Sequence, residues 1–459
     1  MGLLDRLKYW FWSAVVRFLR PIANNALAGM EHDAPARGEN EFDAHDRRQI
    51  RLAARRYVRS SERPDGDAKR RLSLVKPRPY LFAWAAQTPG RYLDLSRDVQ
   101  EASLARFSLP RLATPEELAL WLKIKPGQLA WLLHRFEPRL GPTSRQQSHY
   151  HYRWIDKRRG GQRLLEIPKP MLRAAQDQIL REILDRVPPH SAAHGFVRRR
   201  SICSNAAPHV GQRVVVKFDL ENFYPSVSLA KVVAIFRSLG YSREAAIWLG
   251  RLTTSIVPAD VASPAVLREA RQPSRTVYGT EEFPRDQAER ALYGRRHLPQ
   301  GAPTSPALAN LAAFALDLRL SGLARRFGAR YTRYADDLTF SGNERFLRNL
   351  ILFLPLVRRV VADERFRVNV RKLRILRNNQ RQNVAGVVVN RHLNVARRDY
   401  DRLKAILVNC IRRGPSTQNH DRHPDFAASL RGRVAHVSQL NPARGKKLLA
   451  LYRQVDWNS

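Results

Sequence analysis

Residues 331–342 read YTRYADDLTFSG. Aromatic and β-branched residues lie on both sides of the adjacent acids Asp336 and Asp337. That pattern predicts two strands and a β-hairpin with Ala335-Asp336-Asp337 at or near its tip. Leu338 and Phe340 then face one way, Thr339 and Ser341 the other. Packing gives no reason for two acids at such a tip. Neighbouring carboxylates repel, and each raises the pKa of the other unless a cation neutralises them. Mg²⁺ suits the position, because it takes hard oxygen ligands and leaves coordination places open for phosphate. An isolated Asp-Asp turn is just as well a surface feature paired with arginines, so the surrounding segments have to decide.

A third acid is expected if a metal is held. Asp219 supplies it, closing the β-rich run RVVVKFDL at 213–220. That run delivers Asp219 to the end of a strand beside the hairpin. Asp219 and Asp336 shared between two ions form the arrangement that in-line phosphoryl transfer needs. One metal activates the attacking hydroxyl and the other stabilises the leaving pyrophosphate.

Composition points the same way. The 459 residues include 81 Lys and Arg against 41 Asp and Glu, a formal net charge of +40. The excess is spread along the chain, which favours a long nucleic-acid track over a point contact. A hydrophobic content of 44% is enough for real cores. Cys203 and Cys410 stand far apart without a partner motif. They imply neither a disulfide framework nor a zinc site, and a reducing, cytoplasmic setting fits. Residues 9–30 are apolar but broken by Arg17, Arg20 and Pro21. They predict an amphipathic helix packed on the body, with contact to a membrane surface as the alternative, not a membrane span or a secretory signal.

The chain divides into four expected parts. Residues 1–140 form a basic, mainly helical N-terminal extension, with a charged linker at 31–76. Within it, Thr114 caps a helix opened by Pro115 and closed into a capping box by Glu117, and Pro126-Gly127 turns into a second short helix. Such a pair could read DNA or simply pack on its neighbour. Residues 141–212 come next, then 213–390, where strand candidates alternate with helical stretches at 171–185 and 306–325. RFRVNV (365–370) and VAGVVVN (384–390) read as further strands, and 258–297 as a polar insertion. Residues 391–459 are helical, with Leu403, Ile406, Leu407, Cys410 and Ile411 on one side and Gly414 as a stop. The fold class is α+β.

These motifs together resemble a known family. YTRYADDLTFSG resembles the Tyr-x-Asp-Asp box of reverse transcriptases, VVVKFDLENFYPSV their first carboxylate motif, and LPQGAPTSPALANL (298–311) their Gln-Gly-x-x-x-Ser-Pro box. RGGQRLLEIPKPMLRAAQDQIL (159–180) is similar to their fingers segment. The order is the expected one and spans about 150–390. NAAPH (205–209), GFVRRRSI and NPARGKKL resemble bacterial retron reverse transcriptases in particular. The Val-Thr-Gly of that group stands here as Val384-Ala385-Gly386, an alanine in place of threonine.

The resemblance implies a right-hand polymerase: fingers at 141–212, a palm with an antiparallel sheet at 213–390 and a helical thumb at 391–459. It makes Asp219 and Asp336 the principal ligands of two Mg²⁺ ions (Mn²⁺ being an alternative), Asp337 a lesser ligand, and the Leu220 carbonyl a further one. Tyr224 matches the aromatic gate that excludes a 2′-hydroxyl, against an ordinary core tyrosine. Gln300 and Gly301 fit a close approach to the deoxynucleoside triphosphate, where a Cβ would intrude. Ser305 and Pro306 read as a helix start. Arg163 resembles the arginine that grips the triphosphate and Lys157 the lysine before it, against solvated finger charges. Lys372 matches the lysine that protonates pyrophosphate, or else a salt-bridged strand lysine. Asn205, His209 and Val384-Ala385-Gly386 are implied in RNA recognition; a histidine among apolar neighbours is otherwise a satisfied structural residue. Expected partners are a structured non-coding RNA, the RNA–DNA hybrid made from it and a separate effector protein in antiphage defence. No acidic constellation suggests an RNase H domain. Two rivals remain: a non-retron bacterial reverse transcriptase of abortive-infection or diversity-generating type, and an RNA-binding or toxin-sequestering scaffold.

Overall fold

The structure, a computed structural model, describes residues 98–134, 142, 144–156, 162–261 and 292–457. The helix expected at 9–30, the linker at 31–76, Lys157 and most of the insertion lie outside them. Three short helices open the described chain: α1 (Glu101–Arg106), α2 (Pro115–Trp121) and α3 (Pro126–Leu132). The Thr114 hydroxyl accepts the Glu117 N–H at 3.2 Å, and Pro115 takes the first helical position, as the capping pattern predicts. Leu118, Leu129 and Leu132 are buried in the main core, and the Trp121 indole donates to Glu182 at 2.8 Å. The α2–α3 pair therefore packs on its neighbour.

A β-hairpin follows, β1 (Tyr150–Asp156) with β2 (Gln162–Pro168), and then α4 (Pro170–Glu182) and the short α5 (Ile202–Ala206). The central strand β3 (Val214–Asp219) leads to α6 (Leu229–Ser238) and α7 (Arg243–Leu252). After the insertion come α8 (Ser305–Ala312), α9 (Phe314–Arg326), β4 (Ala329–Tyr334) and β5 (Asp337–Gly342). The expected helix at 306–325 is thus two helices, bent by 49° where they meet. Next are α10 (Glu344–Arg348), α11 (Leu350–Asp363), β6 (Arg374–Arg377), β7 (Asn383–Val384) and β8 (Val387–Val388). Helices α12 (Arg397–Arg413), α13 (Phe426–Leu440) and α14 (Pro442–Arg453) complete the chain. No single described helix is long and apolar enough to cross a membrane.

The four-stranded sheet has the order β4-β5-β3-β6, with antiparallel pairing throughout. Both of its faces are covered, which explains the unbroken valines of β3. Val214, Val216 and Phe218 join the main core, while Val215 joins a second core under α12–α14. On β5, Leu338 and Phe340 face the main core, where Phe340 packs edge-on against Phe218 and Phe353. Thr339 and Ser341 face the other way as expected, but they too are buried. The segment RFRVNV forms no full strand. Only Val368 bridges Leu220; a 3₁₀ turn, Val370–Lys372, then carries the chain into the edge strand β6.

The second core unites Val384 and Val387 of the β7–β8 hairpin with Leu403, Leu407 and Cys410 of α12 and Leu430 and Val434 of α13. Gly414 ends α12 at φ +83°, a conformation that costs other residues steric strain. Ile411, placed on the apolar side by periodicity, is 37% exposed.

His209 lies wholly inside, behind β4 and β5. Its ring nitrogens stand 2.6 Å from the Ser341 hydroxyl and 2.8 Å from that of Thr332. Burial, with Arg330 assisting, lowers its pKa from 6.5 to about 3. Burial likewise lowers His134 to about 3 and His194 to about 4. Between these values and 6.5 the unfolded chain binds protons that the folded chain refuses. Stability contributed by the neutral rings is therefore complete above pH 6.5 and falls as pH drops, by ~1.4 kcal/mol per pH unit per group. Urea unfolding at a series of pH values should show this loss, and His209→Gln should flatten the slope by one proton's worth.

Candidate active site

The β4–β5 hairpin is closed by the pair Tyr334↔Asp337, leaving Ala335 and Asp336 as its two-residue turn. Ala335 takes φ +55°, a left-handed position that usually selects glycine. Asp219 at the end of β3 is the register partner of Asp337, and the Leu220 N–H donates to the Asp336 carbonyl at 2.9 Å. All three acidic residues thereby lie at one end of the sheet.

Burial pushes the Asp336 carboxyl up to about 6, with Asp337 and Asp219 adding to the effect. Asp337 is also raised, first by burial, with Lys217 opposing. The Asp219 carboxylate is held differently. Lys372 Nζ donates to both of its oxygens, at 2.9 and 3.0 Å. Lys372 thus sits in the 3₁₀ turn rather than on a strand, and ion-pairs with the first acid of the cluster. Among the described residues no three His, Cys, Asp or Glu side chains form a ready-made metal cage. Asp219 bonds Lys372, and its charge still acts on Asp336. The donor chemistry suits a hard divalent ion: carboxylates only, partly buried, with their charge not fully matched.

A buried network fixes the turn. Arg333 on β4 is fully buried and binds Asp317 of α9 through Nε at 2.8 Å and Nη2 at 2.6 Å. Its Nη1 donates to Asn310 at 2.9 Å and to the Ala335 carbonyl at 3.1 Å. Asn310 in turn donates to the Gly195 carbonyl at 2.9 Å. Gly195 presses on the turn so closely that a Cβ there would lie 2.6 Å from the Ala335 nitrogen.

One family model covers this region of the chain. "Reverse transcriptase (RNA-dependent DNA polymerase)" matches residues 155–389. The Retron Mx65 reverse transcriptase of Myxococcus xanthus is 38% identical over 403 residues, 87% of this chain and 85% of that protein. The chain belongs to the retron-type reverse transcriptases. It is 36% identical to the Retron Mx162 reverse transcriptase of M. xanthus, over 76% of this chain and 68% of that one. It is 30% identical to the Retron Ec86 reverse transcriptase of Escherichia coli, over 55% and 67% respectively. Among solved structures, a Candida albicans telomerase aligns at 12% identity and TM-score 0.35, covering 66% of this chain and 63% of that one. The reverse transcriptase is an RNA-directed DNA polymerase with the α+β right-hand fold, and its family uses divalent metal, deoxynucleotides and an RNA template.

Other site residues of this reverse transcriptase fall in different places. Tyr224 is half-buried against the main core; burial, with Asp336 assisting, pushes its hydroxyl up to about 12, while Arg333 and Arg163 oppose. Arg163 is exposed on β2, opposite Ile155. Gln300 accepts the Glu166 N–H on its carbonyl at 2.8 Å. Gly301 has φ +128°, and a Cβ there would stand 2.9 Å from the Glu166 carbonyl oxygen. The close approach expected of this glycine is thus made to the β2 backbone. Ser305 is the first helical residue rather than the cap: its hydroxyl donates to the Pro299 carbonyl at 2.6 Å and Thr304 precedes α8.

Asn205 and His209, expected in RNA recognition, lie inside the fold. Both are buried, and the Asn205 carbonyl accepts the Thr332 hydroxyl at 3.2 Å. Neither side chain is exposed in this structure. Ala385 and Gly386 form the turn of the β7–β8 hairpin at φ +46° and +87°, with Val384 buried beneath them. Arg333, Asp317 and Asn310 went unread in the sequence. An arginine in YTRYADD looks like a solvent-facing charge, and only its position two residues before Ala335 could have drawn notice.

Arg333→Met leaves Asp317 charged and buried with only the Tyr331 hydroxyl as a partner, at a cost of roughly 3–5 kcal/mol. Arg333→Met with Asp317→Leu should recover most of that stability in denaturant titrations. Incorporation by the double variant should stay depressed by more than about tenfold, because the Ala335 carbonyl has lost its donor.

Proposed function

We propose that this reverse transcriptase copies part of a structured non-coding RNA into DNA. Synthesis starts from a 2′-hydroxyl of that RNA and yields a branched RNA–DNA product, msDNA. The observation that carries the reading is the gathering of Asp219, Asp336 and Asp337 at one end of the sheet, in a chain of net charge +40. Asp219 and Asp336 hold two Mg²⁺ ions, for which Mn²⁺ can substitute, with Asp337 and the Leu220 carbonyl as lesser ligands. Bound metal supplies activation of the attacking hydroxyl and neutralisation of the pyrophosphate charge. Lys372, 2.9 Å from Asp219, keeps a proton where the pyrophosphate departs. Tyr224 closes the space beside the sugar, which selects deoxynucleotides. Arg163 grips the triphosphate from β2, assisted by Lys157, and Gln300 and Gly301 shape the floor beneath it.

Exposed basic residues on α12–α14, among them Arg398, Arg412, Arg433 and Lys446, follow the phosphate backbone of the RNA–DNA hybrid. Arg444 has a different use: it stacks over the Tyr400 ring at 4.7 Å and bonds Asn394 at 3.2 Å. The exposed β7–β8 tip, Ala385-Gly386, contacts the RNA, and α5, which carries Asn205, supports that hairpin from below. The enzyme serves antiphage defence in the cytoplasm together with a separate effector protein.

Asp336→Asn should abolish nucleotide incorporation with Mg²⁺ and an annealed primer while circular dichroism stays unchanged; retained incorporation would remove the metal assignment. Tyr224→Ala should admit ribonucleotides in the same assay. Sequencing of nucleic acid co-purified with the protein should return one RNA joined to DNA through a branch. A mixed population of linear RNAs would count against the retron reading.

A further inference from the structure

A buried titratable pair lies away from the carboxylate cluster, where β2 meets the loop that enters α8. Glu166 of β2 and His297 have side chains 0% and 1% exposed. The His297 Nε2 stands 2.9 Å from Glu166 Oε1, and its Nδ1 stands 2.6 Å from the Arg295 carbonyl oxygen. A carbonyl oxygen only accepts, so Nδ1 must carry a proton. An ionised carboxylate also only accepts, so Nε2 must carry another. With Glu166 ionised, the geometry is that of an imidazolium bound to a carboxylate. Burial and Arg296 work against that charge, but Glu166 and the Arg295 carbonyl outweigh them and hold the His297 pKa above 6.5. Arg296 and the hydroxyls of Tyr150 and Tyr152 are the other titratable groups acting on the pair, and the Tyr293 ring meets His297 edge-on at 5.3 Å.

The pair fastens three segments together. Glu166 donates its backbone N–H to Gln300, and Gly301 lies against the Glu166 carbonyl. His297 exchanges two backbone hydrogen bonds of 2.9 Å with Ser255, just past α7. The Leu298 N–H donates to Val227, just ahead of α6, at 3.1 Å. Arg163 stands on the same strand as Glu166. The other Glu166 oxygen, Oε2, is buried with no protein partner, so the imidazolium is the principal match for this carboxylate's charge.

We propose that His297 is a positioning residue whose imidazolium, bound to Glu166, holds the Gln300–Gly301 loop against β2 in the geometry that accepts the incoming nucleotide. This rests on the nucleotide-binding reading of Gln300 and Gly301. Loss of the ring's proton leaves a buried carboxylate unmatched, and the loop loosens.

The test is primer extension by the full-length enzyme on an annealed RNA template and DNA primer, with KM and kcat for deoxynucleotide measured from pH 6.5 to 9. The wild-type KM should rise with pH across this range, by about tenfold, while kcat changes little. His297→Gln should show a raised KM already at pH 7. Glu166→Gln with His297→Gln, an uncharged pair that can still hydrogen-bond, should give a KM independent of pH. A purely packing role would lower stability and active fraction without this split between KM and kcat. An equal pH rise in the double variant overturns the inference, and so does an unchanged KM in folded His297→Gln. Should His297→Gln fail to fold, the wild-type and double-variant profiles decide alone. Gln300→Ala separates the two layers: a KM unmoved by it sinks the nucleotide reading of the loop. A KM raised by Gln300→Ala but not by His297→Gln sinks only the role of His297.

Discussion

The site depends on one buried ion pair. Arg333 and Asp317 are wholly enclosed, and their attraction is felt in a medium far less polar than water. Desolvating two charges is costly, and a pair of apolar residues would hold β4 to α9 at least as well. What apolar residues could not do is reach the Ala335 carbonyl. Arg333 spends two donors on Asp317 and still has Nη1 for Asn310 and for the turn. The left-handed Ala335 is thereby over-determined: by Arg333 on its carbonyl, by Gly195 against its nitrogen and by the Tyr334↔Asp337 pair that closes the hairpin. Asp336 is presented by a turn that has little freedom to move.

Around that turn the electrostatics are arranged in opposition. The chain is strongly basic, which suits a phosphate backbone, yet it gathers three acids at the place where two strands end. Burial and mutual repulsion raise Asp336 and Asp337, while Lys372 takes both oxygens of Asp219. An ammonium ion on one acid satisfies part of the negative charge, and a divalent cation is the natural complement of the remainder. The same logic of matched buried charge recurs at Glu166 and His297, beside the Gln300–Gly301 loop.

Much of this was legible in one sequence because periodicity and local chemistry carried it. The valines of β3, the hairpin at Ala335-Asp336 and the capped start of α2 follow from residues close together in the chain. The residues whose surroundings the sequence did not show share a different origin. Arg333 looks like a surface charge until α9 covers it. His209 carries the expectation of an RNA contact until β4 and β5 close over both of its ring nitrogens.

The sequence by itself determined the chemistry. Side-chain type, spacing and order fix where acids lie at strand ends, which segments alternate at strand period and how basic the chain is, since these are properties of near neighbours and of totals. Only the tertiary structure decided which charges are buried and what each of them meets. That depends on contacts between residues more than a hundred positions apart, such as Lys372 with Asp219 or His297 with Glu166. The free energy of a charge is set by its surroundings in space, and no local pattern in the chain encodes them.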